Sequence, residues 1–169
     1  MDKVYLLDTN TFIEAYMRYY AFKICPGFWE ALSEFMERGK VISIKAVKGE
    51  LTPEGDQSME KWLKKETTQA AFVSTDTPEA NRILNEINSW VANNDQYKPQ
   101  AKEKFITGAD PKLIAYACAN TMTLVTSEKS ATKSTRSIKI PDVCNNFGVS
   151  YCNTFDMLKD IGVSFTYKT

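Results

Sequence analysis

Residues 4–7, Val-Tyr-Leu-Leu, are apolar without polar alternation, the pattern of a central strand covered on both faces. Further short runs follow at Val41–Ile44 (VISI), at 70–74 (AAFVS) and at Met122–Val125 (MTLV). Between them, apolar residues recur at helical spacing. A helix is expected from Thr11 through Phe12, Ile13, Tyr16 and Tyr20. After Pro26 another carries Phe28, Trp29, Leu32, Phe35 and Met36, with Gly39 as its stop. AVKGEL (46–51) and GDQSMEKWLKKE (55–66) suggest shorter helices. Pro78 opens a long one bearing Ala80, Ile83, Leu84, Ile87 and Val91, which the polar stretch 93–100 closes. In ADPKLIAYACANT (109–121), Asp110 reads as an N-cap and Pro111 as the first helical residue. The remainder reads as a loop at 129–139, a helix at 140–148, an edge strand at VSYC (149–152) and a last helix at 154–162.

Strands alternating with helices imply right-handed crossovers. The expectation is a single α/β domain over 1–169, a three-layer α/β/α sandwich with a central, mostly parallel sheet of four to five strands. In such sheets, function gathers beyond the carboxyl ends of the strands. The charged N-terminus has no small-residue cleavage site, and no stretch approaches the roughly 18 apolar residues of a membrane span. A soluble, cytoplasmic protein with no membrane partner is therefore expected.

The chain has no histidine. That absence removes Ser-His-Asp and Cys-His mechanisms, His-ligated zinc and every imidazole base. Cys25, Cys118, Cys144 and Cys152 form no C-x-x-C pair and read as ordinary buried thiols. Chemistry must then fall to carboxylates, a metal-bound water, Lys, Tyr or an unassisted Cys. The 21 basic and 21 acidic side chains cancel, so any attraction to phosphate is local.

Four acids stand where parallel strands would gather them on one rim. Asp8 follows the first strand, Glu50 lies shortly after the second, Asp110 starts a helix, and Glu128 follows the run at 122–125. Clustered carboxylates repel one another unless a cation compensates. Oxygen-only donors favour Mg²⁺ or Mn²⁺, whose bound water and charge make phosphodiester hydrolysis feasible without histidine.

The motifs LLDTN, the acid of SIKAVKGEL, ADPKLIAYA and LVTSE, in that order, resemble the four acidic motifs of the PIN domain. GVSYCNTFDMLKDIG resembles the family's closing strand and helix. The resemblance implies a metal-dependent ribonuclease cutting single-stranded RNA, a catalytic set of Asp8, Glu50, Asp110 and Glu128, and metal ligation by Asp8, Asp110 and Glu128. It implies Asn10 and Ser127 as hydrogen-bonding neighbours. Many small members are toxins held by a cognate antitoxin, which makes an antitoxin partner an expectation here. Glu128 stands where the family more often has Asp, and YMRYYAFKICPGFWEAL departs from common toxin sequences.

Other readings stand beside this one. Asp8 and Asp110 could serve as helix caps, Glu54 competes with Glu50, and Asp142 and Asp156 read as caps. Lys129, Lys133, Arg136 and Lys139 form a cationic loop suited to substrate phosphates. The aromatics between 16 and 35 could stack on bases, but their helical spacing suits core or homodimer packing better. Two alternatives compete with the nuclease. One is a catalytically weakened PIN-like module that binds RNA or protein. The other is a haloacid-dehalogenase-like phosphatase, which needs an Asp where Asn10 stands.

Overall fold

The computed structural model describes residues 3–52 and 57–166. Five short strands, β1 (Tyr5–Leu7), β2 (Val41–Ile44), β3 (Phe72–Val73), β4 (Thr123–Val125) and β5 (Tyr151–Cys152), form one sheet in the order β3-β2-β1-β4-β5. Every pairing is parallel. The first strand lies in the middle, and all three of its residues are buried, which is why it tolerates no polar alternation.

The expected helices form with shifted ends. α1 (Thr9–Glu14) begins two residues before Thr11, because the Asp8 side chain accepts the Thr11 N–H and starts the helix at once. A π-helical turn over Ala15–Tyr19 continues it. α2 (Pro26–Glu37) stops before Gly39, whose φ of +68° suits a residue without a Cβ. α3 (Lys45–Glu50) and α4 (Gln57–Leu63) are followed by α5 (Glu66–Ala70), a short helix the sequence pattern did not announce. α6 (Pro78–Ala92) leads to a second unannounced helix, α7 (Pro99–Thr107), then α8 (Asp110–Ala119), α9 (Ile140–Phe147) and α10 (Thr154–Asp160). Glu54 lies outside the described residues.

Helices α2 and α5 pack together, as do α6, α8 and α9. Right-handed crossovers put the first pair and the second group on opposite faces, so the sheet is the middle of three layers. The core behind α1 is aromatic: Phe12 meets Trp62 and Phe72, and Trp29 meets Trp62 at 5.0 Å between ring centroids. Both indoles find acceptors, Tyr20 O for Trp29 and Ser33 Oγ for Trp62. Most aromatics of the 16–35 segment thus belong to this core or its margin. All four cysteines are free thiols, and burial pushes Cys144 up to about 12. Among the described residues no helix is long and apolar enough to cross a membrane.

Candidate active site

The sheet order reverses direction beside β1, where connections leave on opposite faces. Ligand crevices of parallel α/β sheets open at such points, beyond the carboxyl ends of the strands. The cleft here, about 270 Å³, opens at that place, and Asp8, Glu50, Asp110 and Glu128 all line it. The four acids expected from the sequence are therefore gathered on one wall-to-wall surface.

Each acid is held differently. Asp8, 1% exposed, follows β1 and caps α1. Its Oδ1 accepts the Thr11 N–H and the Thr11 hydroxyl, both at 2.6 Å, and its Oδ2 accepts the Thr126 hydroxyl at 2.6 Å. Capping and a site role thus coexist in one carboxylate. Burial still dominates these bonds and raises its pKa to about 6. Thr126 reaches Asp8 because the β1–β4 register sets Leu7 opposite Val125. Glu50, at the end of α3, accepts the Thr9 hydroxyl through Oε2 and the Ala109 N–H at 3.0 Å through Oε1. Glu128 takes Lys139 Nζ at 3.0 Å and the Ile140 N–H at 2.9 Å, so it anchors the start of α9.

Asp110 is the exception. It is the first residue of α8, not its cap; Ala109 holds the cap position and offers no side-chain bond. Glu50 instead holds the start of α8 by accepting the Ala109 N–H, and the Asp110 side chain makes no cap bond. Among the described residues no donor bonds to that carboxyl. Burial, then the charges of Glu128, Asp8 and Glu50, raise its pKa to about 7, with Lys139 pulling the other way.

The remaining expected residues divide. Asn10 lines the cleft, bringing an amide where a phosphatase would need a carboxylate. Ser127 lies on a separate recess beside Tyr19 and Phe155, and the neighbour that bonds Asp8 is Thr126. Arg136 and Lys139 line the cleft, whereas Lys129 and Lys133 are exposed away from it. The loop is tied down: Gln96 Nε2 donates to the Thr132 and Ser134 carbonyls, and Lys98 N–H to Thr135 O at 2.9 Å. Asp142, expected as a cap, instead accepts from Ser130 and the Ala131 N–H, closing the same loop. Asp156 is capped rather than capping, since Asn153 Oδ1 accepts its N–H. Lys104 and Phe105 of α7 also line the cleft and were not anticipated, because α7 itself was not.

Among the described residues, no three Asp, Glu or Cys side chains close into a ready-made metal cage. The donor set nevertheless fits a hard divalent ion. It is all oxygen, its members repel one another, and Mg²⁺ ordinarily takes only one or two carboxylates and keeps its waters.

The family model described as a domain of unknown function, DUF4411, matches residues 5–165. The chain belongs to the DUF4411 family. No curated protein matches this DUF4411 member in sequence. Among solved structures, it is similar to FitAcB from Neisseria gonorrhoeae, with a TM-score of 0.54 at 16% identity over 90% of this chain and 99% of that one. It also aligns with VapBC2 from Rickettsia felis, solved bound to a DNA fragment from their promoter, with a TM-score of 0.49 at 15% identity over 89% and 98% of the two chains. The likeness to FitAcB shows the PIN-like fold that the four motifs implied.

Proposed function

We propose that this chain is a divalent-metal-dependent nuclease that cuts single-stranded RNA, acting as the toxin of a toxin–antitoxin pair. The observation that carries the reading is the convergence of four acids on one cleft, with the half-buried Asp110 repelled by its neighbours and bonded by no described donor. The PIN-like fold shared with FitAcB supports the nuclease reading, on which the antitoxin partner rests.

Asp8 and Asp110 would hold the ion, with Glu128 as a further carboxylate ligand and Glu50 beside them in the same cleft. When bound, Mg²⁺ or Mn²⁺ supplies charge neutralisation at a phosphoryl group and a more acidic water. Thr11 and Thr126 fix the orientation of Asp8 through three short bonds. Glu50 fixes the start of α8 and with it Asp110. Lys104 and Arg136 draw the substrate backbone to the cleft, and Phe105 narrows it on the α7 side. Arrest of growth on expression, abolished by Asp8→Asn or Asp110→Asn, together with EDTA-sensitive cleavage of RNA, is the test. Arrest that persists in both variants contradicts the proposal.

One observation favours a second reading. Glu128 is engaged by Lys139 rather than free, which suits a weakened module that binds RNA without cutting it. Binding of RNA by the folded wild-type chain with no cleavage in Mn²⁺ would select that reading.

A further inference from the structure

The cleft is flanked unequally. On the α7 side stand cations, Lys104 and Arg136. On the β5 side lies the recess lined by Thr11, Ser127, Tyr19 and Phe155, where the single charged side chain is an acid, Glu14. The two share a wall, since Thr11, which lines the recess, bonds Asp8 through its hydroxyl, and Ser127 sits between Thr126 and Glu128.

Tyr19 and Phe155 are 54% and 46% exposed, their rings edge to face at 5.5 Å. The π-helical turn explains why. The Tyr20 N–H bonds Ala15 O at 2.7 Å, a five-residue step that turns Tyr20 inward to stack on Phe28 and leaves Tyr19 outside. An aromatic pair open to solvent beside a polar cleft is costly to keep exposed and well suited to receive another ring. The recess itself holds only about 30 Å³, so an occupant lies against the rings, not inside.

We infer that Tyr19 and Phe155 form a stacking platform for a nucleobase of the single strand whose backbone passes the acid cleft. The charge distribution fits this occupant. A phosphate is drawn to Lys104 and Arg136 and repelled by Glu14, whereas a neutral base gains by stacking, which every base can do. The strand then crosses the site with its backbone toward α7 and its bases toward α10. This inference rests on the nuclease reading above.

The test is fluorescence anisotropy of a short fluorescein-labelled single-stranded RNA binding to the full chain carrying Asp110→Asn, which blocks cleavage. Adding Tyr19→Ala or Phe155→Ala weakens binding about 5- to 50-fold, Tyr19→Phe leaves it near the parent, and RNA lacking its bases binds the Ala variants and the parent alike. Both side chains are exposed, so circular dichroism should show unchanged folding. Parent-like binding by both Ala variants, with loss only on Lys104→Met or Arg136→Met, overturns the platform and leaves the nuclease reading intact. A parent that binds no single strand overturns both. Conversion of a dimer to a monomer by Tyr19→Ala in sedimentation, with RNA binding unchanged, also overturns it and makes the patch a self-interface.

Discussion

Asp8, directly after the central strand, and Asp110, at the start of α8, line the same cleft, yet one carboxylate is saturated with donors and the other has none among the described residues. Asp8 is built in: three short bonds fix both oxygens, and the same bonds start α1. Asp110 is placed by backbone alone, through Glu50 on the Ala109 N–H and Pro111 in the first turn of α8. The difference teaches a division of labour. The saturated acid sets the frame, and the bare one carries the unmet demand for a cation.

The largest effect expected from breaking this pair is on turnover. Asp110→Asn should lower EDTA-sensitive RNA cleavage by about 10³-fold or more, since it removes a charge that the ion needs and no neighbour can replace. Asp8→Asn should do the same while keeping the Oδ1 cap, so its melting temperature should stay close to wild type.

Stability separates the two acids further. Asp8→Ala strips the cap and takes an acceptor from two buried hydroxyls, of which Thr11 keeps the Val125 carbonyl and Thr126 is left without one, and should cost roughly 2–4 kcal/mol in denaturant unfolding. Asp110→Asn should act in the opposite direction in metal-free protein. The folded pKa of Asp110, about 7, lies above its ordinary 3.8, so the native state holds that proton more tightly than the unfolded chain. Its contribution is fully present below pH about 4, fades as pH rises through about 7, and is absent above. The variant should therefore gain on the wild type across that window, by on the order of 2–4 kcal/mol at the alkaline end, measured by unfolding in EDTA. A gain that does not grow with pH would contradict the repulsion.

A smaller effect is expected one bond away. Thr126→Val leaves the fold and all four acids but removes a donor to Asp8, and should cost roughly 10- to 100-fold in metal affinity or cleavage. Lys139→Met should release Glu128 from its ion pair. If Glu128 joins the ion, Mn²⁺ affinity rises; if it serves only α9, affinity stays and the helix start loosens.

The acids were legible in the sequence because each sits beside an apolar run or a helix signal, at positions where strand ends must converge. Their supports were not. Thr126 lies 118 positions from Asp8, and only the parallel register of β1 on β4 brings its hydroxyl there, whereas Ser127 looked equally suitable in a linear reading. Asp before Pro is a strong cap signal, so Asp110 reads as a cap, but the helix begins at Asp110 itself, one residue early, and Glu50, 59 residues away, holds that start through the Ala109 N–H. α7 escaped notice because it buries only Ala101 and Phe105 in a polar stretch, too faint a stripe to declare a helix. With α7 went Lys104 and Phe105. The exposure of Tyr19 was likewise hidden, since helical spacing alone groups the tyrosines on one face and gives no sign of a π turn.

The central claim is that Asp110 meets a cation, and loss of the free Mn²⁺ signal in electron paramagnetic resonance reads it without knowing the RNA target. Titrating wild-type protein into Mn²⁺ at a pH above the Asp110 pKa should deplete the free signal, and Asp110→Asn should deplete it at least about tenfold less effectively. Equal depletion by both proteins, or none by the wild type, would contradict the account.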